Sequence, residues 1–405
     1  MKISLIEFSV ENFKIFKNRV TFSTSGRKSE HTFESNKRNL LKTSLVYGPN
    51  ASGKSSLLDA LHIMRTGIIN SANNQSGDSL PYHRFLFSSE PENPIFWEAI
   101  FSLDDKVFKY NFSILKDKIV TENLFEILSN DEEKAYLIRN EQSIKLFGPL
   151  KSSKDVMDKT RKEVLFISAA SQWNSKLALK IVDGFKNIHV ISGIDDHYSG
   201  YTVKMFKENG EAKIEILDFL KKADFCIDDG VIQQVKVPDV VKKQMESMNI
   251  KKVPDVVDTV IFSHSKFDST NKKVGAGQIN ISEESQGTQK FFSVLGPIID
   301  TIKNGKVLLI DEFDSSLHPS LTKFILDVFE KRNQDNAQLI VTTHDTSLLS
   351  YKDEFNKEQF WFTEKDKMGV GNLFSLAEFE LRNDTEFSKK YLEGRFGALP
   401  FIESM

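Results

Sequence analysis

The segment that most constrains this chain is a glycine-rich loop between an apolar run and a helix-like stretch. The loop fits the pattern G-x-x-x-x-G-K-[ST] and consists of Gly48, Pro49, Asn50, Ala51, Ser52, Gly53, Lys54 and Ser55. Residues 44–47 form the apolar run, and residues 56–61 form the helix-like stretch. Glycines let backbone N–H groups converge on a polyphosphate at a helix N-terminus. This setting predicts an α/β fold with a phosphate-binding loop, and a chance glycine turn before a helix is the alternative.

The side chains of the loop predict how a nucleoside triphosphate is held. Lys54 is expected to reach the β- and γ-phosphates, and the Ser55 hydroxyl is expected to ligate Mg²⁺. Ser56 follows in the first turn of the helix and is predicted to contact the nucleotide with the loop.

A second candidate site is an acid pair at the end of an apolar strand far downstream. Residues 307–310 are apolar and are followed by Asp311 and Glu312. Two adjacent carboxylates at the tip of a buried strand are costly unless a cation or water uses them. We predict that Asp311 holds Mg²⁺ and that Glu312 is the general base that activates water. A solvated pair of loop acids is the alternative.

Two more motifs lie on either side of the acid pair. Ser285 and Gly287 stand at the start of an apparent helix, where a hydroxyl and a bare amide suit an anion. His344 follows a strand predicted at 338–343 and is a candidate to bond the γ-phosphate or to orient the water. A structural role for this histidine is the alternative.

The order of these motifs resembles that of ABC-type ATPases of the SMC and RecF branch. The phrases at 12–14, 284–288, 311–319 and 391–400 resemble the bacterial AAA/ABC-like ATPases that include RloA and AbiL. The resemblance implies an ABC-type, SMC/RecF-like P-loop ATPase head with a mixed sheet, and ATP and Mg²⁺ as cofactors. It also implies an ATP-dependent homodimer or higher homo-oligomer. In that assembly Ser285 and Gly287 of one subunit meet the γ-phosphate bound by the other.

The same resemblance implies a biological role. It predicts the sensor or regulatory ATPase of a bacterial anti-phage defence module that controls a separately encoded effector, a nuclease or toxin. About sixty residues follow His344, so we expect any nuclease or toxin activity to belong to a separately encoded partner. The alternative is a DNA-repair ATPase like RecF, with DNA contacts through scattered basic residues.

Composition and patterning set the remaining expectations. The chain has 405 residues, a formal net charge of −3 and one cysteine, and its charged N-terminus differs from a signal peptide. These features, and the absence of a long apolar segment, predict a cytoplasmic protein without membrane contact.

Alternation at 3–22 predicts strands, alternation at 95–147 predicts antiparallel strands, and the polar stretch 24–38 predicts a loop. Two buried strands, at 306–310 and 338–343, are predicted with a helix between them. We expect the ATPase head to comprise 1–115 and 261–405, with an inserted, mainly helical α/β lobe at 116–260.

Overall fold

The computed structural model describes residues 2–75, 77–88, 93–193, 198–208, 210–223, 225–237, 239–240, 242–243, 254–351, 354–380 and 386–399. Part of the predicted inserted lobe and Pro400 lie outside the described residues. The chain forms two compact units. The first comprises Met1–Gly193, Thr301–Asp314 and Leu326–Met405, and the second comprises Ile194–Asp300 and Ser315–Ile325. The domain boundaries expected at 115/116 and 260/261 stay a prediction.

Runs of consecutive strands are separated by helices along the described residues. The strands are β1 (Ile3–Glu11), β2 (Val20–Ser23), β3 (Thr32–Ser35), β4 (Arg38–Leu41), β5 (Thr43–Tyr47), β6 (Ile95–Leu103), β7 (Lys106–Leu115), β8 (Lys118–Ile127), β9 (Glu133–Asn140), β10 (Ser143–Leu146), β11 (Ile188–Ser192), β12 (Ile227–Lys236), β13 (Val256–Phe267), β14 (Lys273–Asn280), β15 (Val307–Asp311), β16 (Gln338–Thr342), β17 (Phe360–Lys365) and β18 (Gly371–Ser375). The α-helices are α1 (Lys54–Asn70), α2 (Phe166–Gln172), α3 (Lys176–Lys186), α4 (Ser199–Glu208), α5 (Gly210–Lys222), α6 (Gln286–Asn304), α7 (Pro319–Arg332) and α8 (Phe387–Leu392). Short 3₁₀ helices cover Ser71–Asn73, Gly148–Lys159, Ile281–Glu283, Thr346–Ser350, Lys357–Gln359 and Leu376–Glu378.

A six-stranded mixed sheet in the first unit carries the candidate site. Its strand order is β11-β15-β16-β5-β17-β18, and every neighbouring pair is parallel except β17 and β18. All five residues of β5 and all five of β16 are buried, as expected for central parallel strands covered on both faces. Parallel strands end at the same edge of a sheet. The phosphate loop, the acid pair and His344 therefore all lie at the same edge of the sheet.

A seven-stranded antiparallel sheet completes the framework of the first unit, in the order β10-β9-β8-β7-β6-β1-β2. It confirms the strands predicted at 3–22 and the antiparallel strands predicted at 95–147. Leu61 and Met64 of α1 lie in one hydrophobic core with Phe8 of β1 and Trp97 of β6. This shared core fixes the helix that begins at the phosphate loop.

The polar stretch at 24–38 is not all loop, so that prediction was wrong in part. It contains β3 and the turn into β4, which pair as a hairpin. Asn36 and Lys37 at the turn both have positive φ, 49° and 65°, as in the two-residue turns that match strand twist. Phe33 is buried and anchors the hairpin, but a four-residue strand with one apolar side chain has too little alternation to recognise.

The second unit has its own sheet and core. The antiparallel strands β12, β13 and β14 lie in that order. The Phe292 ring of α6 contacts Phe262 of β13 and Phe206 of α4, at centroid distances of 5.5 and 6.3 Å. Gly230 of β12 lies under these rings, since a Cβ there would come 2.9 Å from Phe206 Cζ. Across the described parts of both units, the helices lack the length and apolarity that a bilayer-spanning helix requires.

Candidate nucleotide-binding site

Two glycines shape the phosphate loop. Gly48 has φ +153°, and a Cβ at this position would lie 2.4 Å from Thr363 Oγ1 and 2.6 Å from Ser52 Oγ. Gly53 stands at the N-terminus of α1 with φ +116°, where a Cβ would lie 2.8 Å from Phe16 Cζ. Both positions combine left-handed backbone with close neighbours, and only glycine tolerates that combination. The conformation of the loop therefore depends on glycine at both positions.

Lys54 is the buried cation of the loop. Its Nζ donates hydrogen bonds to the carbonyl oxygens of Gly48 (2.7 Å) and Pro49 (3.1 Å). Burial lowers the pKa of the Lys54 ammonium. Three carboxylates act in the opposite direction: Asp311, Glu312 and Asp314. The lysine and the acid pair thus lie within electrostatic reach of each other.

Strand β17 holds the phosphate loop in place through hydrogen bonds. The hydroxyls of Ser52 and of Thr363 on β17 are hydrogen-bonded at 2.6 Å, and Thr363 Oγ1 also donates to the carbonyl of Tyr47 at 3.2 Å. Both bonds are buried. They fix the loop relative to the strand beside β5.

The acid pair leaves β15 through a strained turn. Asp311 Oδ1 accepts a hydrogen bond from Thr342 Oγ1 (2.5 Å), and the Glu312 N–H donates to the same hydroxyl (2.8 Å). Glu312 has φ +50°, a left-handed conformation that costs a non-glycine residue about 1–2 kcal/mol. On the β11 side, the Gly193 N–H donates to the Asp311 carbonyl at 2.5 Å. The turn is therefore held from both neighbouring strands.

His344 lies directly after β16 and faces the same edge. Its backbone N–H donates to the Asp314 carboxylate at 3.1 and 3.3 Å. Burial and the positive charge of Lys54 lower the pKa of the His344 imidazole, while Asp314, Glu312 and Asp311 partly oppose that shift. The net lowering favours a neutral ring at pH 7, which can both donate and accept a hydrogen bond.

One cavity joins the phosphate loop to Glu312 and His344. It has a volume of about 290 Å³ and is lined by residues 50–56 together with Lys14, Ile15, Glu312 and His344. These parts come from distant segments of the chain and meet at the C-terminal edge of the parallel strands.

The donor chemistry at this edge fits Mg²⁺ and a triphosphate. The Ser55 hydroxyl and the Asp311 carboxylate are the predicted metal ligands, and the described residues hold no cluster of three or more His, Cys, Asp or Glu side chains suited to a metal. Mg²⁺ typically takes one or two protein oxygens and completes its shell with water and substrate phosphates. The cavity lined by residues 50–56 supplies room for such phosphates. The residues present therefore fit the nucleotide and the metal together.

Ser285 and Gly287 lie in the second unit, where α6 begins. Ser285 Oγ accepts a hydrogen bond from the Thr288 N–H at 3.2 Å and bonds the Thr288 hydroxyl at 2.8 Å. This is an N-terminal cap that orders the first turn of the helix. A Cβ on Gly287 would meet its nearest neighbour, the Ser316 carbonyl oxygen, at 3.4 Å. That is an ordinary contact, so the packing measured around Gly287 does not itself require glycine.

Three contributors to the site were not predicted from the sequence. Thr342 belongs to the Thr-Thr-His motif that ends at His344, so its place in the sequence could have indicated a role in the site. Thr363 and Gly193 had none, because the strands that carry them are placed beside β5 and β15 only by long-range pairing.

A glycine-cradled phosphate loop and an acid-ended strand on one mixed sheet define a P-loop ATPase fold. The sequence profile of the family described as "AAA domain, putative AbiEii toxin, Type IV TA system" matches residues 44–350, well over half of the chain. The chain belongs to this family. The predicted recognition as an AAA/ABC-like P-loop protein is thereby confirmed.

Solved structures similar to the chain are SMC head domains, and no curated protein matches it. The SMC head domain from Thermotoga maritima is 15% identical over 94% of this chain and 100% of that one, with a TM-score of 0.43. An SMC head bound to the C-terminal winged-helix domain of ScpA is 14% identical over 92% and 97%, with a TM-score of 0.48. An SMC head with an extended coiled coil, bound to the C-terminal domain of ScpA derived from Pyrococcus furiosus, is 14% identical over 97% and 100%, with a TM-score of 0.43.

Proposed function

We propose that the chain binds ATP with Mg²⁺ in the 290 Å³ cavity and hydrolyses it to ADP and phosphate. The loop amides and the Lys54 ammonium hold the phosphate chain, and Ser55 and Asp311 hold Mg²⁺. When bound, Mg²⁺ neutralises charge on the phosphate oxygens. The Glu312 carboxylate accepts a proton from the attacking water, and the neutral His344 ring orients that water or bonds the γ-phosphate.

The observation that carries this proposal is the shared cavity. The phosphate loop alone is a binding element, but Glu312 and His344 line the same space as residues 50–56. A phosphate site with an adjacent carboxylate and a neutral imidazole has the parts that water attack on a phosphoryl group needs.

Two substitutions test the hydrolytic site. Lys54→Ala removes the cation of the loop, and we expect it to abolish ATP binding. Glu312→Gln keeps the shape but removes the base, so binding persists while turnover falls by about 100-fold or more. The controls are Lys367→Ala and Glu34→Gln, both at exposed positions away from the cavity. Turnover at the wild-type rate in Lys54→Ala contradicts the site assignment.

We further propose that ATP joins two copies of the chain. The capped N-terminus of α6, with Ser285 and the amide of Gly287, is suited to a γ-phosphate held by the other copy. Such a contact is isologous, so each dimer has two composite sites. Glu312→Gln with Mg²⁺ and ATP is then expected to elute as a dimer in size-exclusion chromatography, and Lys54→Ala as a monomer.

A mixing experiment tests whether Ser285 acts in the other copy. Lys54→Ala and Ser285→Arg should each be inactive alone. Their mixture should regain part of the turnover, because one of the two composite sites in a heterodimer carries neither substitution. No recovery in the mixture, together with a monomeric Glu312→Gln protein at saturating ATP, would rule out the dimer. This result would not contradict ATP hydrolysis, which the Lys54→Ala and Glu312→Gln assays test separately.

The role we propose is that of an ATPase regulator in a bacterial anti-phage defence module with a separate effector, a nuclease or toxin. Support comes from the family description, which names a toxin of a toxin–antitoxin system, and from the resemblance to RloA- and AbiL-type ATPases. The test is phage plating on cells that carry the gene with its neighbours. Protection should be lost with Lys54→Ala and kept with Lys367→Ala. Nuclease activity of the purified chain alone would contradict a separate effector.

Three of the basic side chains that suggest the DNA-repair alternative form ion pairs. Lys162 pairs with Asp117, Arg161 with Glu163, and Lys242 with Asp255, so their charges are partly compensated. Duplex binding that rises with ATP and falls steeply with salt would favour this alternative over the defence role.

A further inference from the structure

Two turns at the edge of the mixed sheet are joined by hydrogen bonds that involve both side chains and backbone. The first turn, residues 311–314, follows β15, and the second, residues 342–344, follows β16. The Phe313 N–H donates to the Thr342 carbonyl at 3.0 Å, and the His344 N–H donates to the Asp314 carboxylate. The acid pair and His344 therefore belong to one hydrogen-bond network.

The Thr342 hydroxyl is at the centre of this hydrogen-bond network. The residue is fully buried, and its Oγ1 donates to Asp311 Oδ1 at 2.5 Å while accepting from the Glu312 N–H at 2.8 Å. An amide N–H can only donate, and an ionised carboxylate can only accept. The direction of both bonds is thus determined, and one hydroxyl connects the side chain of the first acid with the backbone of the second.

We propose that Thr342 is a positioning residue for the acid pair. By occupying Oδ1, it fixes the rotation of the Asp311 carboxylate and so the direction in which the second oxygen is offered to Mg²⁺. By bonding the Glu312 amide, it holds that residue in its left-handed conformation, φ +50°. This inference rests on the proposed ATPase function, and it extends that function to a residue outside the cavity lining.

The competing explanation is that the hydroxyl only satisfies polar groups at a buried strand end. That role predicts lower stability after substitution, but no specific effect on Mg²⁺. Positioning predicts a loss that appears when Mg²⁺ is present and disappears when it is chelated. The partners of metal-ligating groups typically change metal affinity or activity by about 10–100-fold when removed.

Thr342→Val tests the proposal because valine keeps the shape and removes the hydroxyl, while Thr342→Ser restores the hydroxyl. Thr24→Val is the matched control. Thr24 is a fully buried threonine that also lies in the first compact unit of the chain. Its hydroxyl donates to the Leu5 carbonyl at 2.6 Å and accepts from Gln338 at 3.1 Å. The affinity for a non-hydrolysable ATP analogue is measured with Mg²⁺ and with EDTA, alongside ATP turnover and thermal unfolding.

We expect Thr342→Val to bind the analogue in EDTA as the wild type does. The gain in affinity that Mg²⁺ gives should shrink by about 10-fold or more, turnover should fall by a similar factor, and Thr342→Ser should recover both. Thr24→Val should lose stability only. Should Thr342→Val fail to fold, Thr342→Ala carries the same expectations.

Equal Mg²⁺ effects in Thr342→Val, Thr24→Val and wild type would overturn the positioning role while the wild-type turnover still supports the ATPase. A wild-type protein with neither turnover nor Mg²⁺-dependent binding would overturn the proposed function, and this inference with it.

Discussion

At the scale of single residues, the phosphate loop depends on positions where a methyl group does not fit. Gly48 shows this most directly, because a Cβ would meet both the carbonyl and the hydroxyl of Thr363 at 2.4 Å. The carbonyl belongs to β17 and cannot rotate away. The loop conformation that exposes the backbone N–H groups is therefore tied to the absence of a side chain.

We expect Gly48→Ala to lower the free energy of unfolding by at least about 2 kcal/mol, from backbone strain and overpacking together. Nucleotide affinity should fall in parallel, because the loop must move away from β17. Urea denaturation and analogue binding measure the two effects. Gly275→Ala is the control, since a Cβ there meets nothing within 4 Å. A Gly48→Ala protein with wild-type stability and affinity would show that the loop is not fixed as described.

The residues of the site differ in how far the sequence could predict them. The loop, the acid pair and the strand before His344 are local patterns, so spacing and hydropathy suffice to place them. The neighbours that hold them, Thr363 and Gly193, depend on which strands pair. That choice is made by packing between segments far apart in the chain, and a single sequence shows no pattern for it.

At the scale of elements, residues 391–399, the described part of the C-terminal motif, help to support β5 and β17. The Tyr391 ring stacks on Phe362 of β17 at 5.4 Å and lies 6.2 Å from Tyr47, the last residue of β5. Its hydroxyl donates to the Ala398 carbonyl at 2.9 Å, and the Ala398 N–H donates to Glu364 at 3.3 Å. The segment is therefore held by an internal hydrogen bond, and it packs against the strand that leads into the phosphate loop.

The Tyr391 hydroxyl gives this element a measurable pH dependence. Burial raises the pKa of Tyr391 from its usual 10.0 to about 12, so the folded state retains the phenolic proton more strongly than the unfolded state does. The resulting stabilisation is fully present below pH 10 and is lost as the pH rises toward 12.

Relative to Tyr391→Phe, the wild type should thus be more stable at pH 8 by about 1 kcal/mol, the usual worth of a hydrogen bond. This advantage should decline by about 1.4 kcal/mol per pH unit above pH 10. Urea unfolding of both proteins at pH 8, 9 and 10.5 measures the difference. A difference that stays constant up to pH 10.5 would contradict the raised pKa.

At the scale of the whole molecule, the first unit is assembled from both ends of the chain. β5, from the N-terminal part, pairs with β16 and β17, from the C-terminal part. The Gln338 side chain adds a second connection between the ends. Its Oε1 accepts from the Leu5 N–H at 2.7 Å, and its Nε2 donates to the Leu5 carbonyl at 2.9 Å. The mixed sheet and the β1 strand are thereby joined through one buried amide.

Gln338→Leu tests this connection because leucine fills similar space and offers no polar atom. The buried Leu5 N–H loses its acceptor, which costs about 1–3 kcal/mol, while the Leu5 carbonyl keeps the hydrogen bond from Thr24 Oγ1 at 2.6 Å. We expect the free energy of unfolding to fall by about 1–3 kcal/mol, while Gln233→Leu, on an exposed position of β12, stays within about 0.5 kcal/mol of wild type. Since β16 ends at Thr342 and pairs with the strand that leads into the phosphate loop, a saturating ATP analogue should recover part of the lost stability by binding the folded state. Full stability of Gln338→Leu in urea would mean that water satisfies Leu5 and that the two ends are held by strand pairing alone.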